Sequence, residues 1–208
     1  MLSACGGGAS QNNGAAAAAA PAPAVPFNMS PVRAAMAEFD TVCGRPLDRA
    51  GYVAAAAAAG WQAFEATPDS QLGQILAGGR HVVQEQLAQA GKSGEVQAQY
   101  SSFRKMTNGH QLLLVVTDMR IPSLGTSLEC RLFDFDAPAP TDADIGYWTF
   151  APSQRVSEQG MVGRTWRPSF RQGFDNISIS HFAASSPLRS QVPMLGLSIA
   201  AVLPPQRN

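Results

Sequence analysis

The sequence predicts an α+β domain with N-terminal helices packed on one face of an antiparallel sheet of about five to six strands, and three observations carry that expectation. Apolar residues recur at helical spacing in the first part of the chain and at alternate positions after Gly94, a change of period from helix to strand. Asn108-Gly109 lies between two strand-like runs, and this dipeptide is the strongest short-range hairpin signal. Helices come first and strands follow, which is the order of an α+β domain and not the alternation of a parallel α/β fold.

Ser30-Pro31 opens the first helix, because serine accepts from an exposed amide and proline at the first helical position lacks only an N–H that would be unpaired anyway. Val32, Met36, Phe39 and Cys43 then form an apolar stripe, leaving Arg33, Glu38 and Asp40 for water. Asp48 caps a second helix that ends at Gly60. Asp69-Ser70 opens a third, with Leu72, Ile75, Leu76, Val83 and Leu87 on one side, and Gly78-Gly79 is expected to divide it in two.

Residues 95–106 and 111–119 read as the two strands of the hairpin. In the third strand, 126–135, Leu128, Cys130 and Leu132 share a face, so Cys130 points inward. The proline-rich stretch DAPAPTDAD reads as a loop. Residues 161–170, 176–183 and 194–203 complete the sheet. No internal repeat is present.

Fifteen Lys+Arg balance fifteen Asp+Glu in the 208 residues, and no basic stripe of the kind that tracks a phosphate backbone exists, so nucleic acid is not an expected partner. No run reaches the roughly 18–20 apolar residues of a membrane-spanning helix. Two Asn-x-Ser triplets, at Asn28 and Asn176, carry no weight, since so short a pattern arises often by chance. Residues 1–29 are rich in Gly, Ala and Pro and bury too little apolar surface to offset ordering entropy, so they read as a linker ahead of a single domain over 30–208.

Leu2-Ser3-Ala4-Cys5 at the head of that linker resembles the lipobox of bacterial lipoproteins. The resemblance implies that Cys5 is acylated and that the body faces the periplasm of a Gram-negative bacterium. Lipoprotein precursors carry a charged start and an apolar segment of about 7–15 residues before that cysteine. Four residues stand there in this chain, so the resemblance also implies a start upstream of Met1. In layout, the chain is similar to small Gram-negative envelope proteins that carry one cysteine in a helical segment and another in a sheet. With Cys5 lipidated, Cys43 and Cys130 form the one remaining pair, and an oxidising compartment would join them. The alternative is two unrelated small buried residues.

No nucleophile elbow, P-loop, His-Glu-x-x-His helix or Cys-x-x-Cys pair is present. Of the three histidines, His110 follows the hairpin glycine and is expected to be exposed, whereas His181 shares a face with Ile177 and Ile179 and reads as a core histidine. Asp134, Asp136, Asp142 and Asp144 form the densest acidic cluster, but their spacing departs from a calcium loop and a solvated loop is expected, with no metal or cofactor.

The stretch GRTWRPSFRQGF interleaves Arg164, Arg167 and Arg171 with Trp166 and Phe170. Flat rings beside guanidinium forks suit a cell-wall glycan or an anionic peptide, and a half-buried strand with snorkelling arginines is the structural alternative. The expectation is a lipid-anchored binding or structural module. The alternative is a periplasmic enzyme whose catalytic residues are dispersed.

Overall fold

The computed structural model describes residues 29–122, 125–187 and 194–206. Cys5, its lipobox and the linker up to Asn28 lie outside the described residues. In chain order the elements are α1 (Pro31–Cys43), α2 (Arg49–Ala58), β1 (Gln62–Phe64), α3 (Gln71–Gln89), β2 (Gln97–Thr107), β3 (His110–Ile121), β4 (Gly125–Asp134), α4 (Asp142–Trp148), β5 (Gln154–Glu158), β6 (Met161–Trp166), β7 (Asn176–Phe182) and β8 (Gly196–Val202).

The local signals act where they were read. Ser30 Oγ accepts from Arg33 N at 3.2 Å, Asp48 Oδ1 from Gly51 N at 2.7 Å and Ser70 Oγ from Gly73 N at 3.1 Å, so each of the first three helices begins at its predicted cap. Thr107 pairs with His110 across a two-residue loop, and Asn108 and Gly109 have φ of 51° and 83°. Two successive positive φ values are those of a type I′ turn, whose twist matches that of the flanking strands.

The fold is α+β, with one antiparallel sheet in the order β1-β2-β3-β4-β8-β7-β6-β5. That sheet has eight strands, not five to six. The short β1 and the edge strand β5, exposed at all five positions, lack the buried alternation that marks a strand in sequence.

Helices also cover both faces of the sheet, not one. Leu112, Leu114, Val116, Cys130, Leu132, Ile177 and Ile199 meet α1 and α2 on the first face, whereas Leu113, Val115 and Phe133 meet Leu72 of α3 on the second. The cause is legible in β3. Residues 112–116 are five consecutive buried apolar positions, and a strand with no polar alternation must be covered on both sides.

Three boundaries differ from expectation. α3 runs unbroken through Gly78-Gly79; each glycine costs a helix about 1 kcal/mol, which docking of Leu72 and the bond from Tyr100 Oη to Leu76 O at 3.2 Å offset. α4 opens inside the predicted loop at Asp142 and runs beyond it to Trp148, capped by Thr141 and Asp144 in a reciprocal capping box. β6 stops at Trp166, two residues before Pro168, which has no N–H to donate to a ladder.

Candidate functional site

Cys43 and Cys130 are joined by a disulfide, with Cα atoms 5.7 Å apart and both residues fully buried. It ties the end of α1 to the middle of β4, under the helices of the first face.

Beside it lies the Arg–aromatic stretch. Trp166 is 1% exposed and donates Nε1 to Ala151 O at 3.0 Å. Its ring meets Trp148 and Phe170 edge-on at 5.7 and 5.2 Å, and Trp148 meets Phe39 of α1 at 5.9 Å. Arg171 lies 5.3 Å from the Trp148 and Phe170 ring centres and pairs with Asp40 at 2.8 Å, while Trp148 Nε1 donates to that same carboxylate. Arg164 pairs with Asp142 and Arg167 with Asp175. The fold therefore brings Trp166, Phe170 and Arg171 together but sends Arg164 and Arg167 each to its own carboxylate. The rings are committed to one another, and the arginines form an ion-paired rim.

The four aspartates of the acidic stretch separate as well. Asp134 is fully buried, accepts from Asp136 N at 3.1 Å, and faces His110 Nδ1 at 3.0 and 3.2 Å from its two oxygens. His110 is thus not the exposed turn residue expected from its place after the hairpin glycine; its side chain is folded onto the sheet end and is only 23% accessible. Asp142 serves Arg155 and Arg164.

Asp144 closes the α4 cap and accepts from Ser30 Oγ at 2.8 Å and Arg33 Nε at 3.0 Å. Burial raises its pKa, but the bonds from Thr141, Ser30 and Arg33 outweigh that and hold the carboxyl below its ordinary value. Among the described residues no group of three or more His, Cys, Asp or Glu is placed to hold a metal ion. His181 sits half-buried with Nε2 3.1 Å from Ala137 O; burial lowers its pKa, against the pull of that carbonyl.

A mostly apolar concavity lies on the other face, under α3, where sequence reasoning placed nothing. A groove of about 350 Å³ opens between α3 and strands β2–β4. Ile75, Leu76 and Val83 form its wall, and Val115 and Phe133 its floor. Its polar end holds Arg131, paired with Glu129 and donating to Ser198 Oγ at 3.3 Å. Burial works against the Arg131 charge, and the Glu129 carboxylate more than offsets it. Tyr100 has its phenol pKa pushed up by burial, with Arg80 acting against that shift and Glu129 adding to it. The arrangement offers a mostly apolar slot, the size of a small ligand site, lined also by Arg80 and the Arg131–Glu129 ion pair.

Two sequence signals point there in retrospect. The two-sided burial of β3 requires a helix on this face, and Gly78-Gly79 keeps that helix thin where the slot opens. Comparison with family models, curated proteins and solved structures found no match.

Proposed function

We propose that this chain is an envelope-anchored binding module: Cys5 carries a lipid, the body faces the periplasm, and the groove under α3 seats a small molecule with an apolar body and an anionic head. The groove itself carries the ligand reading, since it is a mostly apolar slot whose lining includes Arg80 and the ion pair of Arg131 with Glu129. A carboxylate or sulfonate there would meet charge-assisted donors while its body displaced water from Val115 and Phe133. The Cys43–Cys130 disulfide supports the compartment, because such bonds persist where thiols are kept oxidised. The lipobox supports the anchor. Because the rings of 163–174 are packed on one another, this reading moves the seat from that stretch to the groove, and from a cell-wall glycan or peptide to an amphipathic molecule.

Titration with an anionic aromatic dye, anilinonaphthalene sulfonate, tests the groove. Thr117 lines it from β3 and is half-buried, so Thr117→Trp fills the slot without emptying the core. Saturable dye fluorescence in the wild type that is lost in Thr117→Trp, with the melting transition retained, is the expected result. Equal dye binding by both proteins would overturn the seat. Intact mass of Cys5 in protein made from an extended reading frame in a Gram-negative host tests the anchor separately, an unmodified thiol counting against it.

A further inference from the structure

Among the described residues the most exposed large apolar side chain is a phenylalanine. Phe150 is 95% exposed and Tyr147, one residue before the end of α4, is 55% exposed, on a surface where single apolar residues are common but a fully presented phenyl ring is not. The backbone that presents them is fixed on every side. Trp148, between them, is pinned by Asp40 and Phe39. Thr149 N donates to Ile145 O at 2.8 Å, Ala151 N donates to Thr149 Oγ1 at 3.1 Å, and Ala151 O accepts from Trp166. Phe150 therefore projects from a rigid support.

The second observation is where the chain enters the body. Ser30, at the head of α1, bonds Asp144 of α4; Arg33, one turn on, bonds Asp144 and Ala143 O and lies 5.0 Å from the Tyr147 ring. The segment that begins at Cys5 thus enters the described body at the start of α4, beside Tyr147, three residues before Phe150. The charges around α4 are ion-paired within the protein, Arg33 with Asp144 and both Arg155 and Arg164 with Asp142, which leaves one net positive charge. Exposed aromatic side chains suit the boundary between lipid headgroups and chains.

We propose that Tyr147 and Phe150 seat the body on the surface of the bilayer to which the chain is anchored, so that the α4 end faces the lipid. This rests on the anchored reading above. Two aromatic side chains alone would hold a soluble protein too weakly to matter, and stable attachment takes a second signal. A lipid on Cys5, joined to the body through residues 6–29, would supply it by keeping the rings at high effective concentration near the membrane. Because the charges beside the rings are committed to ion pairs within the protein, seating should persist in zwitterionic lipid and at high salt.

Cys5 is the one cysteine outside the disulfide among the three in the chain, so the full chain can be coupled through it to a maleimide lipid in phosphatidylcholine vesicles. A Phe150→Trp variant reports depth through quenching by brominated acyl chains, with the wild type supplying the background of Trp61, Trp148 and Trp166. The expected result is loss of most of the added emission in brominated vesicles. Slowed hydrogen exchange over residues 146–151 in the tethered wild type should accompany it and be absent in Tyr147→Ser/Phe150→Ser, whose melting temperature should match the wild type.

An introduced tryptophan that stays unquenched would overturn the proposal. Quenching or protection that scales with the surface density of tethered chains, and not with lipid bromination, would overturn it in favour of a second copy of this chain. Because the maleimide supplies the tether, a Cys5 that proves unacylated in cells counts against natural anchoring and leaves this readout interpretable.

Discussion

Removing the Cys43–Cys130 bond should lower stability by an amount that can be worked from the topology. The two residues are 87 apart, and closing a loop of that length restricts the unfolded chain by about 4.6 kcal/mol in the chain-entropy account. Against a total of about 5–15 kcal/mol for an ordinary domain, that is a third or more. Both cysteines are fully buried in the cluster that holds Phe39 and Ala201, so reduction should keep the native fold, the two sulfurs only parting from bonded to van der Waals distance.

Urea unfolding followed by tryptophan emission, with and without reductant, gives the difference directly. Trp148 and Trp166 report the native contact of α1 with the sheet. The expected signature is an unchanged native spectrum, a much lower midpoint and a steeper slope as the freed unfolded chain exposes more surface. Cys43→Ala/Cys130→Ala should lose somewhat more, because it also leaves a cavity. A loss on reduction below about 1 kcal/mol would refute the unfolded-state account, and a native spectrum that shifts without denaturant would show that the bond positions α1.

Asp144→Asn should cost about 1.5–3 kcal/mol at neutral pH, because it weakens charge-assisted bonds from Ser30, Thr141 and Arg33. Its carboxyl is held below the ordinary value, so this contribution is present above the unfolded pKa of about 3.9 and is lost as pH falls through the folded one; urea titrations of mutant and wild type should converge in acid. His181 has its pKa lowered by burial, so the unfolded state takes up the proton first and the group's stabilising effect, full above about pH 6.5, falls as pH drops below it; His181→Gln should flatten stability between pH 7.5 and 5. An NMR titration of His181 with a midpoint above that of a free imidazole would contradict this. Gly196→Ala should destabilise by more than about 2 kcal/mol, since Gly196 has φ of 72° and an added Cβ would lie 2.4 Å from Asp134 O; a thermal shift of a degree or less would contradict it.

The sequence by itself determined whatever depends on neighbours along the chain. Ser30, Asp48 and Ser70 cap helices because each side chain reaches an amide three residues on. Asn108-Gly109 sets the register of the central hairpin because few residues accept two consecutive positive φ values. Cys43 and Cys130 could be placed inward from periodicity alone, since each closes an apolar face.

Tertiary structure decided the rest. Whether β3 is covered on one face or two depends on where α3 docks, and the run 112–116 signals two-sided burial without naming the partner. β5 exists only as a hydrogen-bonded edge to β6, so no burial pattern marks it. Arg164, Arg167 and Arg171 read alike in sequence, yet Asp142, Asp175 and Asp40 neutralise them from three different segments. His110 looked like a turn residue until β4 placed Asp134 beneath it. The groove under α3 and the exposed pair Tyr147 and Phe150 are likewise properties of packing: a slot is made by what two elements leave unfilled, and an exposed ring by what no element covers, and neither is written in the spacing of residues along one chain segment.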